Sequence, residues 1–256
     1  GSCTALVTPF KNGQIDKGAF CKLVDWQIKN GTAALIPVGT TGESPTLSHE
    51  EHDLVVELCI KQAAGRVPVI AGAGSNSTAE AVRLAKHGAA AGADAVLIVS
   101  PYYNKPTQEG LYQHFSAVAK AVSVPVIVYD IPGRSIVKVE DATMARLAAD
   151  HANIKGIKDA TADVGRPTRL RNLLGADFAQ LSGEDATALP YLAAGGHGCI
   201  SVTANIAPKL LSEMHAAWAA SDIATAQSIN ERLMPLHDSM FCEASPGPVK
   251  YAAELL

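Results

Sequence analysis

Short apolar runs rich in β-branched residues recur along the chain, and each is followed by a turn and an amphipathic segment. Runs of about five residues without polar alternation are typical of parallel strands that are buried on both faces. Their alternation with helical patterns predicts repeated βα units. The predicted strands are Cys3–Thr8, Ala33–Val38, Val67–Gly72, Ala95–Ser100, Pro125–Tyr129, Ile154–Lys158, Phe178–Ser182 and Gly198–Val202.

Eight such units within roughly 220 residues predict an α/β fold, a (β/α)8 TIM barrel formed by residues 1–221. An open, doubly wound parallel sheet is the alternative architecture. Helix starts are marked at Ser48 and at Ser77, each followed by Glu three residues later. This spacing predicts capping boxes, in which the serine and glutamate side chains bond each other's backbone amides.

The residues after the barrel keep a helical pattern. The eighth helix is predicted near Ala207–Ala220, and two further helical stretches follow at Asp222–His237 and Pro248–Leu256. They predict a helical C-terminal appendage over residues 222–256. Because the pattern stops inside the last helix, we expect the chain to be a truncated part of a longer protein.

Composition narrows the classes of partner. The chain has 256 residues, 48% hydrophobic and 18% charged, so it can bury a large core and is not a disordered chain. A net charge of −4 without basic stripes argues against nucleic-acid or membrane-surface partners and favours a small molecule. No transmembrane stretch or signal peptide is visible, which predicts a cytoplasmic protein. Five scattered cysteines without CxxC spacing argue against disulfides and a zinc site.

Active sites of (β/α)8 barrels lie at the carboxyl ends of the strands, so polar residues there are candidates. Thr40 and Thr41 follow the second strand in a Gly-flanked turn, where hydroxyls and amides suit a carboxylate, although such turns are also common without function. Tyr102 and Tyr103 follow the fourth strand. Their phenols could form hydrogen bonds with a substrate or pack at a subunit contact.

The fifth and sixth strands end in Tyr129 and Lys158. Burying an ammonium group is costly, whereas a neutral lysine amine is a nucleophile that forms Schiff bases with carbonyl compounds. Strand alternation aligns Gly156 with Lys158 and leaves space below the lysine. Arg134, in the loop after Tyr129, offers a planar fork for a carboxylate. Alone, Lys158 could equally be a lysine that extends to solvent.

Several motifs in order along the chain resemble the dihydrodipicolinate synthase family, over Gly1 to about Lys250. They are Gly39-Thr40-Thr41-Gly42-Glu43, Pro101-Tyr102-Tyr103-Asn104, Tyr129 with Ile131-Pro132-Gly133-Arg134, Gly156-Ile157-Lys158, Ser182-Gly183-Glu184-Asp185-Ala186 and Cys199-Ile200-Ser201-Val202-Thr203-Ala204-Asn205. The resemblance implies a lyase that condenses pyruvate with aspartate 4-semialdehyde through a lysine Schiff base. The product would be 4-hydroxy-tetrahydrodipicolinate, in lysine and diaminopimelate biosynthesis, and no metal or organic cofactor is implied.

The resemblance also implies roles for particular residues. Lys158 would form the imine with pyruvate, and Tyr129, Thr40 and Tyr103 would relay protons. The implied substrate-binding residues are Thr41 for the pyruvate carboxylate, Arg134 for the semialdehyde carboxylate, and Gly183 and Ile200 in the pyruvate pocket. Because Tyr103 serves a neighbouring subunit in this family, a homo-oligomer is implied, a tetramer built as a dimer of dimers.

A second set of residues matches a site at which many bacterial members bind L-lysine as a feedback inhibitor. These residues are Ser44, His49, His52, Asn76, Glu80 and Tyr102. Without the resemblance, the two histidines would be read as ordinary residues of a first helical turn.

Three residues depart from the family pattern: Pro45, Asp130 and Ala162. Strand parity points Asp130 away from the barrel interior, so we expect activity to survive. Two other functional classes stay open. One is another pyruvate-dependent aldolase, of the N-acetylneuraminate lyase or 2-keto-3-deoxygluconate aldolase type, and the other is a non-catalytic, lysine-sensing barrel.

Overall fold

The computed structural model describes residues 1–256 and has eight parallel strands in a nearly closed barrel with helices between them, the (β/α)8 TIM barrel. The predicted fold class is confirmed, and the alternative of an open doubly wound sheet is wrong. The barrel strands are β1 (Ser2–Ala5), β4 (Ala34–Ile36), β5 (Ile70–Gly72), β6 (Ala95–Val99), β7 (Val126–Asp130), β8 (Ile154–Asp159), β9 (Ala179–Ser182) and β10 (Gly198–Ser201).

The strands pair in the order β4-β1-β10-β9-β8-β7-β6-β5. At the open end of this order, Leu35 of β4 forms a parallel bridge with Val69, the residue before β5. Strands β6, β7 and β8 are almost entirely buried, as the absence of polar alternation predicts.

Eleven α-helices accompany the strands, together with 3₁₀ turns at Ser44–Thr46 and Thr203–Asn205. The eighth barrel helix and both C-terminal helices were predicted within a few residues. No helix combines the length and the apolar character that a membrane span requires. The helices are α1 (Lys17–Lys29), α2 (His49–Ala63), α3 (Thr78–Ala91), α4 (Gln108–Ala121), α5 (Pro132–Ser135), α6 (Asp141–Asp150), α7 (Arg166–Leu174), α8 (Ala188–Ala193), α9 (Pro208–Ala219), α10 (Ile223–Ser239) and α11 (Gly247–Glu254).

Of the two predicted capping boxes, one is present. Ser48 accepts a hydrogen bond from the Glu51 amide at 3.2 Å, and the Glu51 carboxylate accepts one from the Ser48 amide at 2.8 Å. At α3, Ser77 caps the Glu80 amide at 3.4 Å. The prediction of a reciprocal bond is wrong there, because the Glu80 carboxylate accepts a hydrogen bond from the Ser75 hydroxyl instead.

The chain divides into two compact units, one of residues 1–69 with 198–256 and the other of residues 70–197. The core of the second unit packs apolar residues of β6 to β8 against α3, α4, α6 and α7. In the first unit, a smaller cluster joins Val7 and Val202 to Met240 and Val249, so α11 packs through a fully buried valine.

Candidate active site

Tyr129 and Lys158 are direct neighbours in the paired strands β7 and β8. Val126 pairs with Ile154, but Ile127 pairs with Gly156, so the register skips one residue between them. Without that irregularity, Tyr129 would lie opposite Ile157. Because a one-residue slip turns side chains to the other face, the irregularity is what places the phenol ring beside the lysine.

The Lys158 side chain is buried with 6% of its surface exposed, and its Nζ lies 4.1 Å from the centre of the Tyr129 ring. At that distance a cationic lysine is stabilised by the negative face of the ring. Gly156 does not leave an empty space below the lysine. A Cβ atom there would approach the Ala179 carbonyl oxygen to 2.5 Å and the Ile127 side chain to 3.1 Å, so only glycine permits this strand packing.

Gly183 follows β9 and lies close to the same lysine. A Cβ atom on Gly183 would lie 3.2 Å from Lys158 Cε, and the Gly183 amide donates a hydrogen bond to the Asp159 carbonyl at 2.7 Å. The structure therefore brings Lys158, Tyr129 and Gly183 together.

Arg134 is the basic residue in the last turn of the short helix α5, and it is exposed. Its charge acts on Glu184, a residue that the sequence reasoning did not single out. Burial raises the pKa of Glu184 above its ordinary value, and the nearby charges of Lys158 and Arg134 oppose that rise. Arg134 and Lys158 are thus linked electrostatically through one carboxyl group.

A second residue that sequence reasoning missed is Arg166, which is fully buried at the start of α7. Its guanidinium forms ion pairs with Asp130 at 2.6 Å, Asp141 at 2.8 Å and Asp159 at 3.4 Å. Asp130 directly follows Tyr129, and Asp159 directly follows Lys158. A single guanidinium therefore holds the ends of the two strands that carry these residues.

Asp130 has no exposed surface, as expected if it points away from the barrel interior. Burial raises its pKa, against the opposing charge of Arg166. Of the other departures from the family pattern, Ala162 has φ +59°, a left-handed conformation that favours glycine, and Pro45 occupies the 3₁₀ turn Ser44–Thr46.

Thr40 and Thr41 lie in the other unit, after β4, with Thr41 buried and Thr40 half-buried. The Thr8 hydroxyl, in the segment after β1, donates to the Gly42 carbonyl of this turn at 2.8 Å. Ile200, on β10 of the same unit, is fully buried and pairs with Cys3.

Tyr103 is the most exposed of the candidates, with 88% of its surface accessible and φ +71°. Asn104 holds this loop by donating from its side chain to the Asn76 carbonyl at 3.0 Å. Tyr102 and Asn76 are half-buried, and the Tyr102 carbonyl accepts from the Asn104 amide at 2.9 Å.

The six residues of the predicted effector site are divided between the two units. Asn76, Glu80 and Tyr102 lie in residues 70–197. The other three, Ser44, His49 and His52, lie in residues 1–69, where His52 is buried and its Nδ1 is 3.7 Å from an Asp53 carboxylate oxygen.

A buried lysine at the carboxyl end of a barrel strand, beside a tyrosine, defines the class of barrel enzymes that form Schiff bases with carbonyl substrates. The chain matches the Dihydrodipicolinate synthetase family over residues 1–256 and belongs to that family.

The relatives of this chain support the same conclusion. It is 61% identical over 256 residues to a Bradyrhizobium diazoefficiens protein named 4-hydroxy-tetrahydrodipicolinate synthase, covering 100% of this chain and 86% of that protein. It resembles the chloride-inhibited Acinetobacter baumannii dihydrodipicolinate synthase complexed with pyruvate, with TM-score 0.96, 50% identity, and 100% and 88% of the two chains covered. It also resembles the lysine-bound enzyme of Cyanidioschyzon merolae, with TM-score 0.96, 39% identity and 99% and 87% coverage.

These relatives confirm the predicted activity, that of a lyase of the 4-hydroxy-tetrahydrodipicolinate synthase type in lysine and diaminopimelate biosynthesis. The main prediction therefore holds over the sugar-acid aldolases and the non-catalytic sensor.

Proposed function

We propose that this chain condenses pyruvate with aspartate 4-semialdehyde through an imine on Lys158. The observation that carries the proposal is the buried Lys158, with its Nζ 4.1 Å from the centre of the Tyr129 ring. The pyruvate complex of the Acinetobacter baumannii relative supports pyruvate as the first substrate. A cytoplasmic location stays part of the proposal.

The chemistry begins when the Lys158 amine adds to the pyruvate carbonyl carbon and water leaves, which forms the imine. Loss of a proton from the pyruvate methyl group gives an enamine, whose carbon attacks the aldehyde. The amino group of the second substrate then adds to the imine carbon, which closes the ring. The bond between that carbon and the Lys158 nitrogen breaks, and the lysine leaves as a free amine.

Each step moves a proton, and the proposal assigns this transfer to Tyr129. The short distance of 4.1 Å between its ring centre and Lys158 Nζ supports that assignment. In the proposal, Thr40 and Tyr103 complete the relay. Thr41 binds the pyruvate carboxylate, with Gly183 and Ile200 lining the same pocket through backbone groups. Arg134 binds the carboxylate of the semialdehyde, for which a planar guanidinium is suited.

Tyr103 reaches a neighbouring subunit in this proposal, so the active protein is a homo-oligomer, a tetramer formed as a dimer of dimers. Its high exposure supports this role, because a tyrosine with 88% of its surface accessible is free to contact another chain.

A site for L-lysine as inhibitor is a further part of the proposal. Its residues would be Ser44, His49, His52, Asn76, Glu80 and Tyr102. The lysine bound to the Cyanidioschyzon merolae relative supports it, and Glu80 has the charge that an ammonium group requires.

Borohydride trapping tests the proposal directly. The parent protein, incubated with pyruvate and sodium borohydride, should gain one reduced pyruvate adduct, and peptide mass spectrometry should locate it on Lys158. Lys155→Ala is the matched control, because Lys155 is an exposed lysine on the same strand and should leave trapping and turnover unchanged. Lys158→Ala should abolish both. A folded parent without an adduct, or an adduct elsewhere, would refute the proposal.

A further inference from the structure

Glu184 lies directly after Gly183, the glycine that is close to Lys158. The Gly183 amide bonds to the Asp159 carbonyl at 2.7 Å, and a Cβ atom on Gly183 would lie 3.2 Å from Lys158 Cε. The Ser182 hydroxyl donates to the Glu184 carbonyl at 2.9 Å and accepts from the Glu184 amide at 3.1 Å. These bonds anchor the Glu184 backbone next to the lysine.

The charges around Glu184 make its carboxylate a receptor for a cation. The group is half-buried, and Lys158 and Arg134 are its positive neighbours. Burial raises its pKa, the charge of Asp185 adds to that rise, and the two cations oppose it. A carboxylate that is partly removed from water gains more from an added cation than an exposed one does.

The second substrate brings such a cation. Aspartate 4-semialdehyde carries an aldehyde, a carboxylate and an α-ammonium group, and the last two are bonded to the same carbon. If Arg134 binds the carboxylate and the Lys158 enamine attacks the aldehyde, the ammonium group must lie near both residues. Glu184 is the carboxyl group on which the charges of both residues act.

We infer that Glu184 is a specificity-determining residue that binds the α-ammonium group of the second substrate. This inference rests on the proposed function. It predicts that the enzyme discriminates between aspartate 4-semialdehyde and succinic semialdehyde, which has the same aldehyde and carboxylate but lacks the amino group.

The test compares Glu184→Gln with the parent, by steady-state pyruvate consumption with aspartate 4-semialdehyde and by the rate of carbon–carbon bond formation on Lys158 with succinic semialdehyde, which has no amino group to displace the lysine. Glutamine keeps the size and the hydrogen-bonding capacity of the side chain and removes only its charge. With aspartate 4-semialdehyde, we expect kcat/KM to fall about 10- to 100-fold, mainly through KM, as for the loss of a charge-assisted hydrogen bond. With succinic semialdehyde, the rate constant for bond formation, followed by mass spectrometry of the adduct trapped on Lys158 by borohydride, should stay within about twofold of the parent, since that substrate never uses the charge.

Glu231→Gln, an exposed glutamate on α10, is the matched control and should behave as the parent with both aldehydes. An equal loss with both aldehydes, or no loss with either, would overturn the inference. Borohydride trapping of pyruvate on Lys158 separates this test from the proposed function: the adduct should form in Glu184→Gln and in the parent alike. Its absence from the parent would refute the proposed function itself.

Discussion

At the scale of single residues, Asp130 and Arg166 form a fully buried ion pair directly after Tyr129. Both side chains have no exposed surface, and the Asp130 carboxylate also accepts a hydrogen bond from the Val139 amide at 3.1 Å. Asp130 and Tyr129 are consecutive on a strand, so they point to opposite faces. The ion pair therefore stabilises the end of β7 on one face of the strand, while Tyr129 lies beside Lys158 on the opposite face.

Replacing Asp130 by Asn should change how stability depends on pH. Because burial raises the pKa of Asp130, its contribution to the free energy of unfolding is complete below the ordinary value of about 3.9 and is lost as pH rises through the raised pKa. Asparagine does not titrate. The free energy of unfolding of Asp130→Asn minus that of the parent should therefore increase from about pH 4 to 7, by about 1.4 kcal/mol per unit of raised pKa.

Urea unfolding at several pH values measures this difference. A difference that stays constant across the range would show that Asp130 does not titrate differently on folding. A decrease toward pH 7 would show that Arg166 outweighs burial and lowers the pKa of Asp130.

Sequence reasoning reached Lys158 and Tyr129 but not Arg166, for a physical reason. A lysine and a tyrosine at consecutive strand ends stand out from the apolar pattern and need no partner to be noticed. Arg166 looks like an ordinary charged residue at a helix start. Its significance depends on Asp130 and Asp141, which lie 36 and 25 positions away and meet it only in the fold.

At the scale of elements, helix α11 is tied to the turn after β4. Lys250 Nζ donates to a Glu43 carboxylate oxygen at 2.6 Å and lies 4.6 Å from the centre of the Phe10 ring. Glu43 has φ +63° and follows Gly42 in the turn that carries Thr40 and Thr41. The position of α11 therefore bears on a turn to which we assign pyruvate binding.

Lys250→Met should raise the KM for pyruvate about threefold to fivefold with little change in Tm. The lysine and Glu43 side chains are 29% and 25% exposed, and such a pair contributes up to about 1 kcal/mol. Methionine keeps the apolar stem against Phe10. Lys209→Met is the matched control, since Lys209 forms an exposed ion pair with Glu213 at 3.8 Å on α9. Steady-state kinetics with varied pyruvate measures the effect. Equal KM values in both variants and the parent would show that the Lys250–Glu43 ion pair does not affect pyruvate binding.

The barrel strands and the helices were predictable because their apolar periodicity is strong, whereas a short β-hairpin was not predicted. Strands β2 (Phe10–Lys11) and β3 (Gln14–Ile15) form an antiparallel hairpin. Each has only two residues, most of them exposed, so no alternation marks them. The signal that could have found the hairpin is Asn12-Gly13, whose φ values of +52° and +75° are those of a type I′ turn.

At the scale of the whole molecule, the role of the exposed Tyr103 decides whether one chain forms a complete active site or two chains share it. In a symmetric dimer, if each chain contributes Tyr103 to the site of its partner, each site also contains the Tyr103 of the other chain. Tyr103 also has φ +71°, a conformation that costs a non-glycine residue energy and that the surrounding structure must stabilise.

Mixing two inactive variants tests that arrangement. Tyr103→Phe should reduce turnover strongly, and Lys158→Ala should abolish it. If Tyr103 acts in the neighbouring site, a mixed dimer contains one site with the lysine of the first variant and the tyrosine of the second. Random mixing of equal amounts makes about half of all dimers mixed, and each has one intact site of two, so activity should recover to about a quarter of the parent value.

The subunits must be dissociated and reassociated together, for example from dilute denaturant, and each variant alone must be refolded in parallel as the baseline. If Tyr103 acts within its own chain, no combination of the two variants restores a complete site, and the mixture should show only the average of the two baselines. Recovery near a quarter would therefore assign Tyr103 to the partner's site, whereas its absence from a mixture shown by mass spectrometry to contain mixed dimers would exclude that role.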